Sequence, residues 1–182
     1  AEKVEKSTAD LVAPEVEKPV ETKDESDTEG TAGVTSVTMA KAGEVLKRGV
    51  RSDAVLELQK KLIRLGFGNW TPTTTFGPTT ERALKEFQKY HGLNVNGTLD
   101  EATENKLNSE IQESYFYGDR DAEIFELQNR LIQLGFGNWS PTIAFGPTTQ
   151  KAVIAFQESH PDLLVTGVLD TKTQEKLKLK TS

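Results

Sequence analysis

Apolar residues recur at helical spacing in two separate parts of the chain. In the first part they come every three or four positions from Val55 to Leu65, which is the spacing of one buried helix face. Ser52 stands where an N-cap is expected, and Gly66 stands where a left-handed residue would end the helix. The pattern therefore predicts a first helix between these two residues.

Two more helices are predicted after the first. The second opens at Gly77-Pro78, because proline is favoured in the first turn, and it directs Phe87 inward and ends near Gly92. Asp100 is a suitable N-cap for the third helix. Between the second and third helices, the segment 95–97 (Val-Asn-Gly) has the composition of a tight turn. The pattern thus closes within about 65 residues, as a small three-helix bundle would require.

The whole pattern returns about 69 residues later. Between residues 54–91 and 123–160, 22 of 38 positions are identical. The longest shared segments are Leu65–Trp70 with Leu134–Trp139 and Phe76–Thr80 with Phe145–Thr149. Two copies of one module explain this economically. We therefore predict an all-α fold of two tandem three-helix bundles, with the modules at residues 44–110 and 111–182.

Residues 1–43 have a different composition. They contain no aromatic residue, and ten acidic side chains stand against five basic ones. Such a segment cannot bury enough apolar surface to offset the entropy of ordering the chain. We predict a disordered acidic tether here.

Charge and residue types exclude several classes of function. A net charge of −6 argues against a nucleic-acid partner, because phosphate binding needs a surplus of Lys and Arg. No run of 18 apolar residues occurs, so no membrane span is expected. The absence of cysteine excludes disulfides, thiolate zinc sites and cysteine nucleophiles. His91 and His160 are the only histidines and have no ligand-spaced partners, so we expect structural roles for both and no metal, cofactor or catalysis. The scattered Glu and Asp residues are interpreted as solvated helix faces.

The ordered set of small and apolar residues resembles a known family. In the first copy the set runs from Leu58-Gln59 through Leu65-Gly66, Phe76-Gly77 and Phe87-Gln88 to Gly97 and Leu99, and the second copy repeats it. It is similar to the type 1 peptidoglycan-binding domain, a three-helix module attached to many bacterial and phage cell-wall hydrolases. This chain departs from the family in two ways: Thr74-Thr75 and Ile143-Ala144 precede the Phe-Gly pairs where many members have Asp-Gly, and the preceding loop is longer.

The resemblance implies non-catalytic binding of bacterial cell-wall peptidoglycan, through its glycan strand or its stem peptide. It also implies an extracellular, wall-associated protein, a fused hydrolase or surface protein as the attached partner, and a monomer. One alternative is a protein-interaction or regulatory domain, because the same three-helix fold occurs in protease propeptides. A second alternative, that the chain is itself a hydrolase, lacks a nucleophile or metal constellation.

The loop between the first and second helices holds the candidate ligand contacts. An indole can stack on a sugar or peptide, or it can cover the open end of a small bundle. The asparagines and nearby threonines can bond a ligand's amide groups or satisfy their own turns. The threonines that open the second helix can bind an anion or cap the helix. Four glutamines beside core positions (Gln59, Gln88, Gln128 and Gln157) are expected to bond neighbouring backbone. The candidate ligand contacts are Asn69, Trp70, Thr73, Thr79 and Thr80 in the first copy and Asn138, Trp139, Thr142, Thr148 and Thr149 in the second.

Overall fold

The computed structural model describes residues 45–181 and folds them into six α-helices. Within this range the extended pairing is limited to four isolated bridges. The all-α prediction of two tandem three-helix repeats is confirmed, and the tether predicted for residues 1–43 lies outside the described residues. In chain order the helices are α1 (Asp53–Arg64), α2 (Pro78–Tyr90), α3 (Glu101–Glu113), α4 (Ala122–Gln133), α5 (Pro147–Glu158) and α6 (Thr171–Lys180).

Local signals set most helix ends as predicted. The Ser52 hydroxyl accepts a hydrogen bond from the Val55 N–H at 3.3 Å, and the Asp100 carboxylate accepts one from the Thr103 N–H at 2.9 Å. Gly66 follows α1 with φ +88°, a backbone conformation that side-chain-bearing residues rarely adopt. The predicted start and stop residues of the first copy are therefore confirmed.

The helix-capping interpretation of the threonines at the start of α2 and α5 is wrong. Gly77 and Gly146 occupy the two N-cap positions, and neither helix has a side-chain hydrogen bond that caps its N-terminus. The four threonines (Thr79, Thr80, Thr148 and Thr149) lie inside the helices, after the prolines at Pro78 and Pro147. Their hydroxyls lie two and three positions after the N-cap glycines, so they do not cap the helices.

Each copy has its own apolar core around a central phenylalanine. In the first copy Phe87 is fully buried and meets Phe67 edge to face, with ring centroids 5.2 Å apart. In the second copy Phe156 is fully buried and meets Phe136 in the same way, also at 5.2 Å. The repeated sequence therefore builds the same core twice.

The four glutamines beside the cores clamp the loops, which confirms their predicted bonding to backbone. Gln88 accepts the Gly97 N–H at 2.9 Å and donates to the Thr98 carbonyl at 2.9 Å. In the second copy, Gln157 accepts the Gly167 N–H at 2.9 Å and donates to the Val168 carbonyl at 2.9 Å. All four side chains are buried, so these bonds supply the polar partners that a buried amide needs.

The two copies contact each other directly. Helix α3 continues through the predicted boundary at 110/111 as far as Glu113. Val168, from the second copy, packs into the core cluster of the first. The Tyr90 hydroxyl donates to the Asp170 carboxylate at 2.9 Å, and the Gln174 amide donates to the Glu113 carbonyl at 2.7 Å. The module boundaries stay a prediction, but the copies share this packed contact, which we call the junction.

Glu110 is the central acid of the junction and an exception to the interpretation of acidic residues as solvated. Its side chain is fully buried. The carboxylate accepts bonds from the Thr171 N–H at 3.3 Å and the Thr171 hydroxyl at 2.5 Å, and it pairs with the Lys106 ammonium at 2.6 Å. Because Thr171 is the first residue of α6, the acid also faces the positive end of that helix. A single buried carboxylate thus joins α3 to α6.

Candidate functional site

The loop after α1 folds its tryptophan back onto its own glycine. Trp70 is half-buried against the first core. A Cβ added at Gly68 would lie 1.5 Å from Cζ3 of Trp70, so the indole occupies the space that any side chain would need. In the second copy, a Cβ at Gly137 would lie 1.4 Å from Cζ3 of Trp139. Each indole is therefore held against the loop and keeps part of its surface exposed, which suits both a lid and a ligand platform.

We expect Gly68→Ala to displace the indole and to lower the free energy of unfolding by about 1–3 kcal/mol, the usual cost of forcing a packed side chain to move. In a Trp139→Phe background, Trp70 is the sole tryptophan and its fluorescence emission should shift to the red. Gly77→Ala is the control, since nothing lies within 4 Å of an added Cβ there, and its emission should match the parent. Unchanged emission in Gly68→Ala would contradict the observed loop packing.

Gln59 fixes the other half of the loop. Its carbonyl accepts the Thr73 N–H at 2.7 Å, and its amide donates to the Thr75 carbonyl at 2.8 Å and to the Thr80 hydroxyl at 2.7 Å. Gln128 repeats these bonds with Thr142, Ala144 and Thr149, at 2.7, 2.8 and 2.9 Å. The loop is therefore tied to both flanking helices in each copy.

These clamps decide which predicted contacts are accessible. Thr80 and Thr149 are buried, and their hydroxyls accept from the glutamines. The hydroxyls of Thr73 and Thr142 are exposed but accept N–H bonds from residues two positions later, at 3.3 and 3.2 Å. The remaining predicted polar contacts are exposed: Asn69, Thr79, Asn138 and Thr148.

The two tryptophans differ in one hydrogen bond. The Trp139 indole N–H donates to the Gln128 carbonyl at 3.4 Å. Among residues 45–181, the Trp70 indole N–H has no such partner. Trp70 thus keeps a free donor beside its exposed surface.

A groove of about 590 Å³ lies beside the first-copy tryptophan, and we call it the Trp70 groove. It brings together three of the predicted residues, Asn69, Trp70 and Thr79, and places the first-copy loop opposite one face of α2. Sequence reasoning missed Arg82 and Glu86 on that face, although they lie three and seven positions after Thr79, which is helical spacing. The lining residues are Gly66, Phe67, Gly68, Asn69, Trp70, Thr79, Arg82, Ala83 and Glu86.

The histidines lie away from this groove. His91 is buried against Phe87, with ring centroids 4.4 Å apart, and its Nδ1 is 3.5 Å from a Glu110 carboxylate oxygen. The Nδ1 of His160 is 2.8 Å from the Phe156 carbonyl oxygen. Over residues 45–181, no cluster of three His, Cys, Asp or Glu side chains could hold a metal ion. In the same range, no helix is both long and apolar enough to cross a membrane.

Comparison with known proteins gives an amidase, a spore cortex-lytic enzyme and a phage endolysin as relatives. The N-acetylmuramoyl-L-alanine amidase CwlM of Mycobacterium tuberculosis is 28% identical over 156 residues, which cover 74% of this chain and 37% of the amidase. A spore cortex-lytic enzyme of Oceanobacillus iheyensis is 31% identical over 101 residues, which cover 56% of this chain and 36% of the enzyme. The chain therefore spans little more than a third of either relative. Among solved structures, a Burkholderia AP3 phage endolysin shares 33% identity over 37% of this chain and 25% of its own, with a TM-score of 0.34.

The family comparison covers both repeats. The model of the peptidoglycan binding domain family matches residues 51–107 and again residues 120–177. The first match spans α1, α2 and part of α3, and the second spans α4, α5 and most of α6. Because these two matches cover well over half of the sequence, the chain belongs to the peptidoglycan binding domain family.

Proposed function

We propose that this chain binds bacterial cell-wall peptidoglycan and catalyses no reaction on it. The observation that carries the proposal is the tandem family match, in which both copies retain the complete helical framework. The Trp70 groove supports it with an exposed amide, a partly exposed indole and a free N–H donor on a fixed loop. These are the groups with which proteins commonly hold sugars and peptides.

The proposed role in the cell is to hold an attached protein on the wall. The amidase and the cortex-lytic enzyme are longer than the stretch they share with this chain, which supports a fused catalytic domain in the complete protein. We therefore propose a secreted, wall-associated monomer. Its two modules end near residues 110 and 182, and its ligand contacts are the exposed residues of the two tryptophan loops.

Two linked copies suit a polymeric ligand. When the first copy is bound, the second meets the same polymer as an intramolecular partner, which can raise overall retention by roughly 10² to 10⁴ where geometry allows both to engage. The junction supports this arrangement, because packed copies hold their loops in a limited range of relative positions.

Sedimentation with purified sacculi tests the proposal. The chain should pellet with the sacculi and release no soluble wall fragments. Trp70→Ala and Trp139→Ala should each weaken binding by roughly tenfold, and the double variant by more, because a buried aromatic anchor contributes on the order of 1–3 kcal/mol.

Phenylalanine at the same positions is the matched control. Trp70→Phe and Trp139→Phe keep an aromatic surface and should bind more strongly than the alanine variants. Circular dichroism checks that every variant keeps its helices. If the double alanine variant is folded and binds like the parent, the tryptophans are lids alone and the proposed contacts are wrong.

A further inference from the structure

The helix wall of the Trp70 groove carries two opposite charges. Arg82 and Glu86 lie one turn apart on α2, and both are exposed and line the groove. Residues four positions apart on a helix have Cβ atoms roughly 5–6 Å from each other. The groove therefore offers a cation and an anion on neighbouring turns of one helix wall.

Within the described part of the chain, these two charges have no partner. Over residues 45–181, neither side chain forms an ion pair or a side-chain hydrogen bond. Their neighbour Glu81 shows the contrast, because it pairs with Lys85 at 2.6 Å and with Arg48 at 3.8 Å. The charges on one face of α2 thus neutralise each other, whereas those facing the groove remain open to a ligand.

The second copy keeps the fold but not this charge pair. The positions that correspond to Arg82 and Glu86 are Lys151 and Ala155, both exposed on α5. The acid is therefore not needed to build the three-helix module. Replacing arginine with lysine also removes the planar fork that binds a carboxylate through two parallel bonds. The exposed pair of opposite charges is therefore a feature of the first copy that the second does not share.

We infer that the Trp70 groove recognises the stem peptide of peptidoglycan, at a residue that carries both a free amino group and a carboxylate. This inference rests on the proposed function. Arg82 binds the carboxylate, Glu86 accepts from the ammonium, and the Asn69 amide and the Trp70 N–H bond the peptide backbone. In intact peptidoglycan the stem peptide amidates the lactyl carboxyl groups of the glycan strand, so that strand supplies neither charge and leaves Arg82 and Glu86 without partners. The second copy, with Lys151 and Ala155, lacks the ammonium partner.

The experiment compares three probes by isothermal titration and sedimentation. The first is a soluble tripeptide ending in a diamino acid with a free side-chain amino group and carboxylate. The second is the same tripeptide with that carboxylate amidated. The third is sacculus glycan from which an amidase has removed the peptides, which frees lactyl carboxylates on the strand but leaves no ammonium partner for Glu86. The unmodified chain should bind the free-acid tripeptide about tenfold more tightly than the amidated one, and it should bind intact sacculi better than stripped glycan.

Matched charge variants isolate the groove. Arg82→Ala and Glu86→Ala should each weaken binding of the free-acid tripeptide about tenfold, and Arg82→Ala should abolish the preference for it over the amidated form. Lys60→Ala and Glu57→Ala make the same charge changes at an exposed ion pair on α1, outside the groove, and should bind like the parent. All four side chains are surface groups, so circular dichroism should be unchanged.

Failure of the inference differs from failure of the proposed function. Full binding to stripped glycan, with Arg82→Ala and Glu86→Ala equal to the parent, would overturn stem-peptide recognition and leave peptidoglycan binding intact. If the Lys60→Ala and Glu57→Ala controls lose as much tripeptide binding as the groove variants, the effect comes from the overall charge of the protein. That result would also overturn stem-peptide recognition by the groove. Absence of binding to intact sacculi would overturn the proposed function and this inference together.

Discussion

Glu110→Ala is expected to lower the free energy of unfolding by about 3 kcal/mol, within the range measured when one partner of a buried charged network is removed. The carboxylate is fully buried and accepts both the N–H and the hydroxyl of Thr171. Its loss leaves those donors without their acceptor and removes the partner of the Lys106 ammonium. Because Thr171 begins α6, the variant also loses one of two carboxylates at that helix N-terminus and keeps the N-cap Asp170.

Urea unfolding followed by circular dichroism measures this effect. Glu113→Ala is the matched control, because Glu113 lies one turn later on α3 with an exposed side chain and contributes only its backbone carbonyl to the junction. The control should lie within about 0.5 kcal/mol of the parent, as surface substitutions usually do. Equal stabilities for the two variants would mean that Glu110 does not hold the copies together.

Short-range signals made most of the fold predictable. An N-cap residue such as Ser52 acts on its own helix, and the glycine that follows α1 ends that same helix, so both can be recognised without knowing the tertiary structure. Because the sequence repeats, the same capping and spacing patterns occur a second time and support the same prediction for each helix. The helix count and the buried glutamine clamps followed from these local patterns.

The junction could not be predicted in this way. Glu110 lies on a helix with other acidic residues and carries no local mark of burial, and its partner Thr171 is 61 residues away. At the corresponding place in the second copy, Lys180 is exposed. A sequence repeat predicts that the two copies have the same structure. Contact between the copies instead buries Glu110 near the C-terminal end of α3, whereas the corresponding residue at the end of α6 is exposed.

The candidate site was predictable in its loop and less so in its helix. Asn69, Trp70 and Thr79 do meet at one groove, because a short loop and the next helix start must be neighbours. Thr80 follows Thr79 directly but is buried, because successive helical residues point about 100° apart. The same geometry places Arg82 and Glu86 on the groove side of α2 with Thr79. Helical spacing applied to α2 would have identified both charges.

Acid is expected to destabilise the junction through His91, by as much as roughly 3 kcal/mol between pH 6.5 and pH 4. Burial lowers the pKa of His91 from 6.5 to about 4; the Glu110 carboxylate opposes this shift, and Lys106 and Lys172 add to it. The unfolded chain therefore binds a proton at a pH where the folded chain does not. The stability from neutral His91 is fully present above pH 6.5 and is lost as the pH falls toward 4. Each unit of pKa difference corresponds to about 1.4 kcal/mol.

His91→Phe isolates this effect. Phenylalanine fits a site already formed by Phe67, Phe87 and Tyr90, and it replaces a buried Nδ1 that has no hydrogen-bond partner within the described residues. The difference in unfolding free energy between parent and variant, measured in urea at each pH, should change steadily from pH 7 to pH 4. Burial raises the pKa of Asp170, so this group stabilises the folded state as the pH falls, opposite to His91. Its contribution is present in both proteins and is therefore largely removed when the variant's unfolding free energy is subtracted from the parent's. His160→Phe is the control away from the junction, and its free energy of unfolding should fall with pH as in the parent. If the His91→Phe protein loses stability as steeply as the parent, the His91 imidazole is not the group responsible.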